Sequence, residues 1–223
     1  MSCTILALAT VTEMCSVAVC SAGQVLANDQ SLLGAKHAEK LLPMISKVMQ
    51  QAEVQFADLD RIAVAKGPGS FTGIRIGISA ARGLALAASK PLSGVNSLEA
   101  LARGIRSDGQ PILAVLDAKR GRVYVQICAP SGSPLGKARV IRPPEIVGLL
   151  SEQRYAVGGT GLELVRPYLL NSSLKKIDLI FDETEGLPRA TDVAFVANQM
   201  SVALANEEVI PIYLRPADAS PSA

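Results

Sequence analysis

The segment from residue 66 to residue 77, KGPGSFTGIRIG, is the stretch whose residue types and spacing suggest chemistry most directly. Its glycines fall where a buried strand gives way to a helix. Glycine allows a positive φ and a close approach of the backbone, and free N–H groups at a helix start can hold an anion. The same glycines would also let the turn pack against a neighbouring strand, and the residues alone leave both interpretations open. The loop consists of Gly67, Pro68, Gly69, Ser70, Phe71, Thr72 and Gly73.

Two familiar phosphate-binding motifs are excluded for this loop. A P-loop requires Gly-Lys-Ser or Gly-Lys-Thr after its spacer, and neither tripeptide occurs in the chain. A dinucleotide fingerprint requires glycine where Thr72 stands. The chain also lacks the Gly-x-Ser-x-Gly elbow of many serine hydrolases, so a peptidase of that kind is disfavoured.

The histidine, cysteine and acidic residues limit the other chemistry that the chain can support. His37 is the single histidine, so a zinc site or a histidine-based proton relay is hard to assemble, and we expect it at a helix start. The four cysteines form no Cys-x-x-Cys pair, which favours buried free thiols in a reducing compartment. Glu99 is expected to face solvent. Asp117 is expected to be either a turn residue or a lone acid.

Hydrophobic patterning divides the first half of the chain into elements in the order β-β-β-α-β-α-β-α. Pro43 conflicts with the first helix, and it should either kink that helix or lie in its first turn. The expected strands cover residues 3–9, 15–21, 24–32, 61–67 and 91–95, and the expected helices cover residues 36–52, 73–89 and 97–105.

The second half repeats this plan at low sequence identity. ILAVLD at 112–117 matches ILALA near the N-terminus, so that Asp117 corresponds to Ala9 and Cys128 to Cys20. The pattern resembles the ribonuclease-H-like duplication of sugar kinases, actin and heat-shock-70 ATPases, an α/β architecture with mixed β-sheets. That resemblance implies a nucleotide cleft between subdomains 1–108 and 109–223. The remaining expected elements are strands at 122–128, up to Ile141 and within YAVGGTG (155–161), and helices near 144–152, 160–170 and 191–206.

The composition bounds the partners of the chain. A net charge of +2 on 223 residues is too small to indicate a nucleic-acid surface by itself. No apolar stretch reaches the roughly 20 residues of a membrane span, and the N-terminal residues lack the basic region of a signal peptide. We therefore expect a cytoplasmic protein without membrane contacts.

Four segments together resemble the TsaB (YeaZ) family of bacterial tRNA threonylcarbamoyladenosine biosynthesis proteins. The segments are LATVTEMCSVAV, HAEKLLPMI, GPGSFTGIRIGISAARGLALA and PIYLR. The resemblance implies a scaffold or activator that binds a TsaD-like catalytic subunit, joined by a TsaE-like ATPase. That complex transfers a threonylcarbamoyl group from threonylcarbamoyl-AMP to N6 of adenosine 37 in tRNAs that read codons beginning with A.

The same resemblance implies that this chain is not itself an enzyme. The catalytic paralogue carries a metal-binding histidine pair at i, i+4, and by alignment Ser97 and Leu101 occupy those two positions here. The usual family pattern also has aspartate where this chain has Ala9. No cofactor is therefore expected on this chain alone, and ATP, Mg²⁺ and the catalytic metal are expected on partner subunits. The alternative is a stand-alone nucleotide-dependent ATPase or kinase-like enzyme that uses the glycine loop and Asp117.

Helices 36–52 and 73–89 form the TsaD-facing surface in the family. Helix 73–89 is apolar almost all round, with Arg75 and Arg82 as its main polar stripe, and packing against its own sheet would explain part or all of this pattern. Without a partner, the same surface is expected to form a homodimer. Lys119, Arg120 and Arg122 form the strongest charge cluster, with Arg103 and Arg106 upstream, and a solvated hairpin turn is the first interpretation of it. A tRNA contact is the alternative. The predicted interface residues are Leu41, Ile45, Gly73, Ile74, Gly77, Ile78, Ala81 and Arg82.

Overall fold

Two five-stranded mixed sheets with flanking helices form the fold in the computed structural model of the chain. The structure describes residues 3–34, 36–151, 154–171, 178–184, 186–201 and 208–215. Each sheet lies in one half of the chain, and we call the two halves the N-lobe and the C-lobe.

The N-lobe sheet has the strand order β3-β2-β1-β4-β5. The first three strands form an antiparallel meander, whereas β4 and β5 run parallel to β1 because a helix connects each of them to the next. The central strands are buried on both faces, as their continuous apolar runs predict. The elements are β1 Thr4–Ala9, β2 Met14–Ser21, β3 Gln24–Leu32, α1 His37–Gln51, a 3₁₀ turn Phe56–Asp58, β4 Arg61–Ala65, α2 Phe71–Ala88, β5 Leu92–Val95 and α3 Ser97–Gly104.

The C-lobe sheet repeats this order as β8-β7-β6-β9-β10, with the same parallel and antiparallel pairs. The registers coincide as well, because Cys20 pairs with Ile5 and Cys128 pairs with Ile112. The predicted duplication is therefore confirmed. The elements are β6 Ile112–Asp117, β7 Val123–Cys128, β8 Arg139–Ile141, a 3₁₀ helix Pro143–Leu149, β9 Arg154–Gly158, α4 Leu162–Asn171, β10 Asp178–Phe181 and α5 Ala190–Gln199.

The sequence predictions differ from the structure at four elements. The helix expected at 144–152 is a 3₁₀ helix that begins with two prolines. Strand β10 was not predicted at all. The last helix ends at Gln199 rather than near 206, and residues 202–207 lie outside the described part of the chain. Pro43 lies inside α1 and beyond its first turn, so the alternative that placed it in the first turn is excluded.

Helices α3 and α5 pack against the opposite lobe's sheet. Leu98 and Leu101 of α3 join the apolar cluster formed on β6 and β7, whereas Val193 and Ala197 of α5 join the N-lobe core. The sheet of each lobe therefore packs against the last helix of the other lobe. The division into folding units at residue 108 stays a prediction.

The cysteines are free, and three of them are buried in strands. Burial raises the pKa of Cys15 and of Cys20 to about 11, and that of Cys128 to about 12. Thiols with such pKa values are weak nucleophiles at neutral pH. The prediction of buried free thiols is confirmed for Cys15, Cys20 and Cys128, whereas Cys3 is only partly buried.

Candidate functional site

A cleft of about 570 Å³ lies between the lobes, where β1 and β6 end. The glycine loop, the turn after β1, the turn after β6 and the C-terminal segment 208–215 all contribute to its walls. The cleft therefore occupies the position that the resemblance to sugar kinases predicts for a nucleotide. Its titratable and aromatic lining includes Glu13, Phe71, Asp117, Lys119, Tyr124 and Tyr213.

The glycines of the loop are required by close backbone contacts. A Cβ at Gly69 would overlap the carbonyl oxygen of Val11, and a Cβ at Gly73 would overlap that of Thr10. Gly67 has a φ of +103°, and its Cβ would lie 2.6 Å from the carbonyl oxygen of Ile212. The structure therefore supports the packing interpretation of these three glycines.

Two amide groups of the loop, those of Ser70 and Gly73, are engaged within the protein. The N–H of Ser70 donates to the carbonyl oxygen of Val11 at 2.7 Å, and the hydroxyl of Ser70 accepts from the N–H of Gly73 at 3.3 Å. The hydroxyl of Thr10 in turn donates to the carbonyl oxygen of Gly73 at 2.7 Å. These bonds fix the start of α2 against the turn that follows β1, and they use donors that an anion would need.

The two equivalent strand ends have different surroundings. Ala9 is fully buried at the end of β1, whereas Asp117 at the end of β6 borders the cleft. The Asp117 carboxylate accepts from the Lys119 N–H at 2.7 Å and pairs with the Lys119 ammonium at 2.8 Å. The hydrogen bond between the Asp117 carboxylate and the Lys119 ammonium raises the pKa of the Lys119 side chain. Because Lys119, Arg120 and Gly121 all have positive φ, Asp117 stabilises a left-handed turn, as one of its two predicted roles requires.

Ser97 and Leu101, the two residues that the family resemblance aligns with the paralogue's histidine pair, are both buried. Ser97 donates its N–H to the carbonyl oxygen of Gly67 at 2.8 Å, and Leu101 packs in the C-lobe core. No group of three or more His, Cys, Asp or Glu side chains suited to a metal ion occurs within the described ranges. These residues do not fit the metal that the resemblance expects on the catalytic paralogue.

Glu99 and His37 lie in environments that the sequence predicted only in part. Glu99 is half-buried rather than solvent-facing, and burial raises its pKa against the opposing effects of Lys66 and of a hydrogen bond with Asn96. His37 begins α1 as predicted, and its side chain is buried. Its Nε2–H donates to the carbonyl oxygen of Thr12 at 2.9 Å, so this imidazole anchors the helix start.

The predicted interface residues are mostly buried in the N-lobe itself. Helix α2 lies on β4, and α1 lies on β2 and β3, so their apolar faces point to their own sheet. Only Arg82 of the predicted set is exposed. The residue set is therefore corrected, while the role of the two helices stays a prediction. The buried members are Leu41, Ile45, Gly73, Ile74, Gly77, Ile78 and Ala81.

The arginine stripe of α2 faces the chain's own C-terminal segment. Arg75 Nε donates to the Tyr213 hydroxyl at 3.1 Å, and Arg82 donates to the carbonyl oxygen of Val209 at 2.8 Å. These two arginines are thus engaged within the molecule. Sequence reasoning missed this contact because the partners lie more than 120 residues apart, and no local spacing signals it.

Helix α2 has a further surface that is uncharged, which we call the open face. A Cβ on Gly83 would meet no atom within 4 Å, so this face has room for a larger side chain. At its N-terminal end the face borders a groove of about 310 Å³ next to His37 and Gly34, at the start of α1. The open face consists of the exposed Thr72, Ser79, Gly83 and Ala87 and the half-exposed Ile76 and Ala80.

The predicted basic cluster is divided between two places. Lys119, Arg120 and Arg122 share the exposed turn between β6 and β7, which is the expected hairpin turn. Arg103 lies on α3 instead, with its guanidinium 5.4 Å from the ring of Phe195. Arg106 follows α3, and its N–H donates to the Asp182 carboxylate at 3.2 Å. A tRNA contact stays a prediction.

Among the helices of the described residues, none is both long and apolar enough to cross a membrane.

Comparisons with known proteins find proteins of tRNA threonylcarbamoyladenosine formation. The family model of TsaD, tRNA N6-adenosine threonylcarbamoyltransferase, matches residues 30–206. The chain is 34% identical to the tRNA threonylcarbamoyladenosine biosynthesis protein TsaB of Escherichia coli, over 95% of this chain and 94% of that protein. The structure of YeaZ from Pseudomonas aeruginosa matches 95% of this chain and 100% of its own at 30% identity, with a TM-score of 0.78.

A more distant neighbour shows the fold alone. The polyphosphate/ATP-glucomannokinase of an Arthrobacter strain matches 89% of this chain and 100% of its own at 10% identity, with a TM-score of 0.53. The duplicated ribonuclease-H-like α/β fold of sugar kinases is thereby confirmed. Since the identity to a TsaB protein exceeds 30% over nearly the whole length of both chains, this chain belongs to the TsaB family.

Proposed function

We propose that the chain is a non-catalytic accessory subunit in the formation of N6-threonylcarbamoyladenosine in tRNA. It would activate a TsaD-type subunit that transfers the threonylcarbamoyl group from threonylcarbamoyl-AMP to N6 of adenosine 37 in tRNAs that read codons beginning with A. The 34% identity to the Escherichia coli protein carries this proposal, because that protein's name assigns it to threonylcarbamoyladenosine biosynthesis. Such a role places the chain in the cytoplasm with tRNA.

Three features of the cleft and of α3 support the accessory role. The amide of Ser70 is bonded within the protein, Asp117 is used in a turn, and leucine at position 101 has no atom that could bind a metal ion. A metal-bound nucleotide would need the carboxylate oxygens that Ala9 lacks. ATP, Mg²⁺ and the catalytic metal are therefore assigned to the TsaD-type and TsaE-type subunits.

The open face of α2 is the surface that we assign to the partner. It carries no charge, and its small side chains let the backbone of a second helix approach closely. Leu42 of the neighbouring helix α1 is 57% exposed and offers further apolar area. The charged residues of α2 are engaged with the C-terminal segment and do not obstruct it. Without a TsaD-type subunit, a second copy of the chain would occupy the same face.

Reconstitution tests this function. We would combine tRNA, threonylcarbamoyl-AMP, a TsaD-type subunit and a TsaE-type ATPase, and measure threonylcarbamoyladenosine in the tRNA by mass spectrometry with and without this chain. The chain alone should give no product, and its addition should raise the product rate at least about tenfold, which corresponds to about 1.4 kcal/mol of activation. Full modification without the chain would refute the proposal.

Calorimetry tests the alternative of a stand-alone nucleotide-dependent enzyme. ATP with Mg²⁺ should release no binding heat with the isolated chain, because the amides of Ser70 and Gly73 are already bonded and position 9 offers no carboxylate. Micromolar binding that Asp117→Asn abolishes would favour the alternative.

A further inference from the structure

We propose that the C-terminal segment 208–215, which we call the strap, positions the first turns of α2 for partner docking. Tyr213 and Arg215 would be the positioning residues, acting through Arg75 and through the turn after β6. The docking consequence rests on the proposed function, whereas the positioning of α2 can be tested in the isolated chain.

The strap contacts α2 through a stack of three side chains. The Phe71 ring lies 4.9 Å from the Tyr213 ring, and the Arg75 guanidinium lies 3.8 Å from the Phe71 ring centroid. The Tyr213 hydroxyl accepts from Arg75 Nε at 3.1 Å, which closes the cluster. Phe71 is the first residue of α2. The stack therefore holds the beginning of the helix at its exposed side, where the sheet gives no support.

The middle of the strap is fixed to the N-lobe sheet through its backbone. The N–H of Ile212 donates to the carbonyl oxygen of Lys66 at 2.8 Å, directly after β4. Gly67 and Gly94 lack the side chains that would obstruct this approach, since a Cβ would lie 2.6 Å from the Ile212 carbonyl oxygen and 2.8 Å from Val209 Cγ1 respectively. The first glycine of the loop is thus explained by the strap.

The far end of the strap reaches the C-lobe. The Arg215 guanidinium donates to the carbonyl oxygens of Ala118 and Lys119, the latter at 3.1 Å. Those carbonyl groups belong to the left-handed turn that Asp117 stabilises. One segment of eight residues therefore bonds to α2, to the end of β4 and to the C-lobe, across the mouth of the cleft.

This arrangement links the orientation of α2 to the C-lobe. Arg75 stays in its exposed position because Tyr213 and Phe71 hold it, and its position in turn limits where the first turn of α2 can move. The stack borders the open face, since Thr72 follows Phe71 directly. If the strap were released, the first turn would lose its outer contacts, and a partner would have to order that turn during binding, which lowers affinity.

Hydrogen exchange in the isolated chain tests the positioning. Arg215→Ala removes the C-lobe end of the strap, and Tyr213→Phe removes only the hydroxyl. Both should speed exchange of the amides at residues 73–76, by about fivefold for Tyr213→Phe and by more for Arg215→Ala. Arg166→Ala is the control, because Arg166 is likewise an arginine held by hydrogen bonds, here to Glu183, and its guanidinium stands 4.5 Å from the ring centroid of Phe181, but it lies in the C-lobe. It should leave α2 exchange unchanged.

Binding to the TsaD-type subunit provides the second measurement. The dissociation constant should rise about tenfold for Arg215→Ala, and Arg215→Lys should recover part of the loss because lysine keeps a donor but not the guanidinium fork. If Arg215→Ala does not fold, Arg215→Lys and Tyr213→Phe carry the same test. Unchanged exchange at residues 73–76 in both strap variants would overturn the inference. Failure of the wild-type chain to bind the subunit would refute the proposed function. The hydrogen-exchange result would still show whether the strap positions α2.

Discussion

The two lobes have the same strand order but use the equivalent ends of β1 and β6 differently. In the N-lobe the strand ends in a buried alanine, and Thr10 bonds to the start of α2. In the C-lobe the strand ends in Asp117, which stabilises a left-handed turn at the cleft. The end of β1 thus packs against α2, and the end of β6 stabilises a turn. The two lobes share an architecture, but their equivalent strand ends have different structural roles.

Both lobes use glycine where a parallel strand passes into a helix. Gly73 approaches the Thr10 carbonyl in the N-lobe, and Gly159 approaches the Val115 carbonyl in the C-lobe. The difference lies in the backbone, because Gly159 has a φ of +120° whereas Gly73 is helical. Close approach is therefore the shared requirement, and each junction also has one glycine with a positive φ, Gly67 in the N-lobe and Gly159 in the C-lobe.

The largest expected effects come from these two glycines. Gly73→Ala should lower the free energy of unfolding by about 3 kcal/mol, because its Cβ would overlap a backbone oxygen that cannot move freely. Gly159→Ala should cost still more, because alanine adds strain at that φ. Urea denaturation measures both. A loss below about 1 kcal/mol for either variant would contradict the close-packing account.

Swapping the residue types at the two strand ends, position 9 of β1 and position 117 of β6, tests whether the two ends differ in function. Ala9→Asp should lower the free energy of unfolding by about 3 kcal/mol, because a carboxylate would be buried without a partner. It should add nothing to threonylcarbamoylation per folded molecule. Asp117→Ala should cost only about 1 kcal/mol, since it removes one turn hydrogen bond and an exposed ion pair with Lys119 that contributes little. A large gain in modification by Ala9→Asp would show that the position still serves chemistry.

Glu99 gives a pH-dependent test at the lobe interface. Its folded pKa is raised above 4.5 by burial, so the folded state binds the proton more tightly and stability falls as pH rises from about 4.5 through the folded value. Glu99→Gln should remove this decrease, so its stability relative to wild type should rise over that window. Thermal melts from pH 4 to pH 7 measure it, with the exposed Glu53→Gln as control. Parallel curves for wild type and Glu99→Gln would contradict the burial.

The smallest expected effect concerns Gly83. Its Cβ position is open and its backbone is helical, so Gly83→Ala should stabilise the chain by about 0.5–1 kcal/mol. Compared with Gly73→Ala, the same substitution ten residues earlier in the same helix, the sign of the change should reverse. Loss of stability at position 83 would mean that this face is already covered.

The order of elements could be predicted from sequence because most strands are short apolar runs bounded by turn residues. Strand β10 was missed although it is no shorter than the predicted strand β5. The 3₁₀ helix was expected to be an α-helix because its apolar run is too short to separate the two. The family followed from the glycine loop and three further segments. These features are local in the chain.

The interface residues were predicted wrongly for a physical reason. Ile74 and Ile78 are strongly apolar residues of α2, but the sheet beneath the helix buries them, and only the remaining faces are available to a partner. Sequence periodicity cannot distinguish burial within a chain from burial against another chain. Likewise, the strap and the packing of α3 and α5 on the opposite lobe depend on contacts between segments that are distant in the sequence. No local sequence pattern predicts such contacts.

The most direct test of the account is the affinity of two arginine variants for the TsaD-type subunit. Gly83→Arg places a charge on the open face, and Gly148→Arg, in the C-lobe, is the matched control, since both glycines are exposed with no atom within 4 Å of their Cβ positions. Circular dichroism would first confirm that both variants are folded. Gly83→Arg should then raise the dissociation constant at least about a hundredfold, and Gly148→Arg should leave it unchanged. Equal, wild-type binding by both variants would contradict the assignment of the open face to the partner.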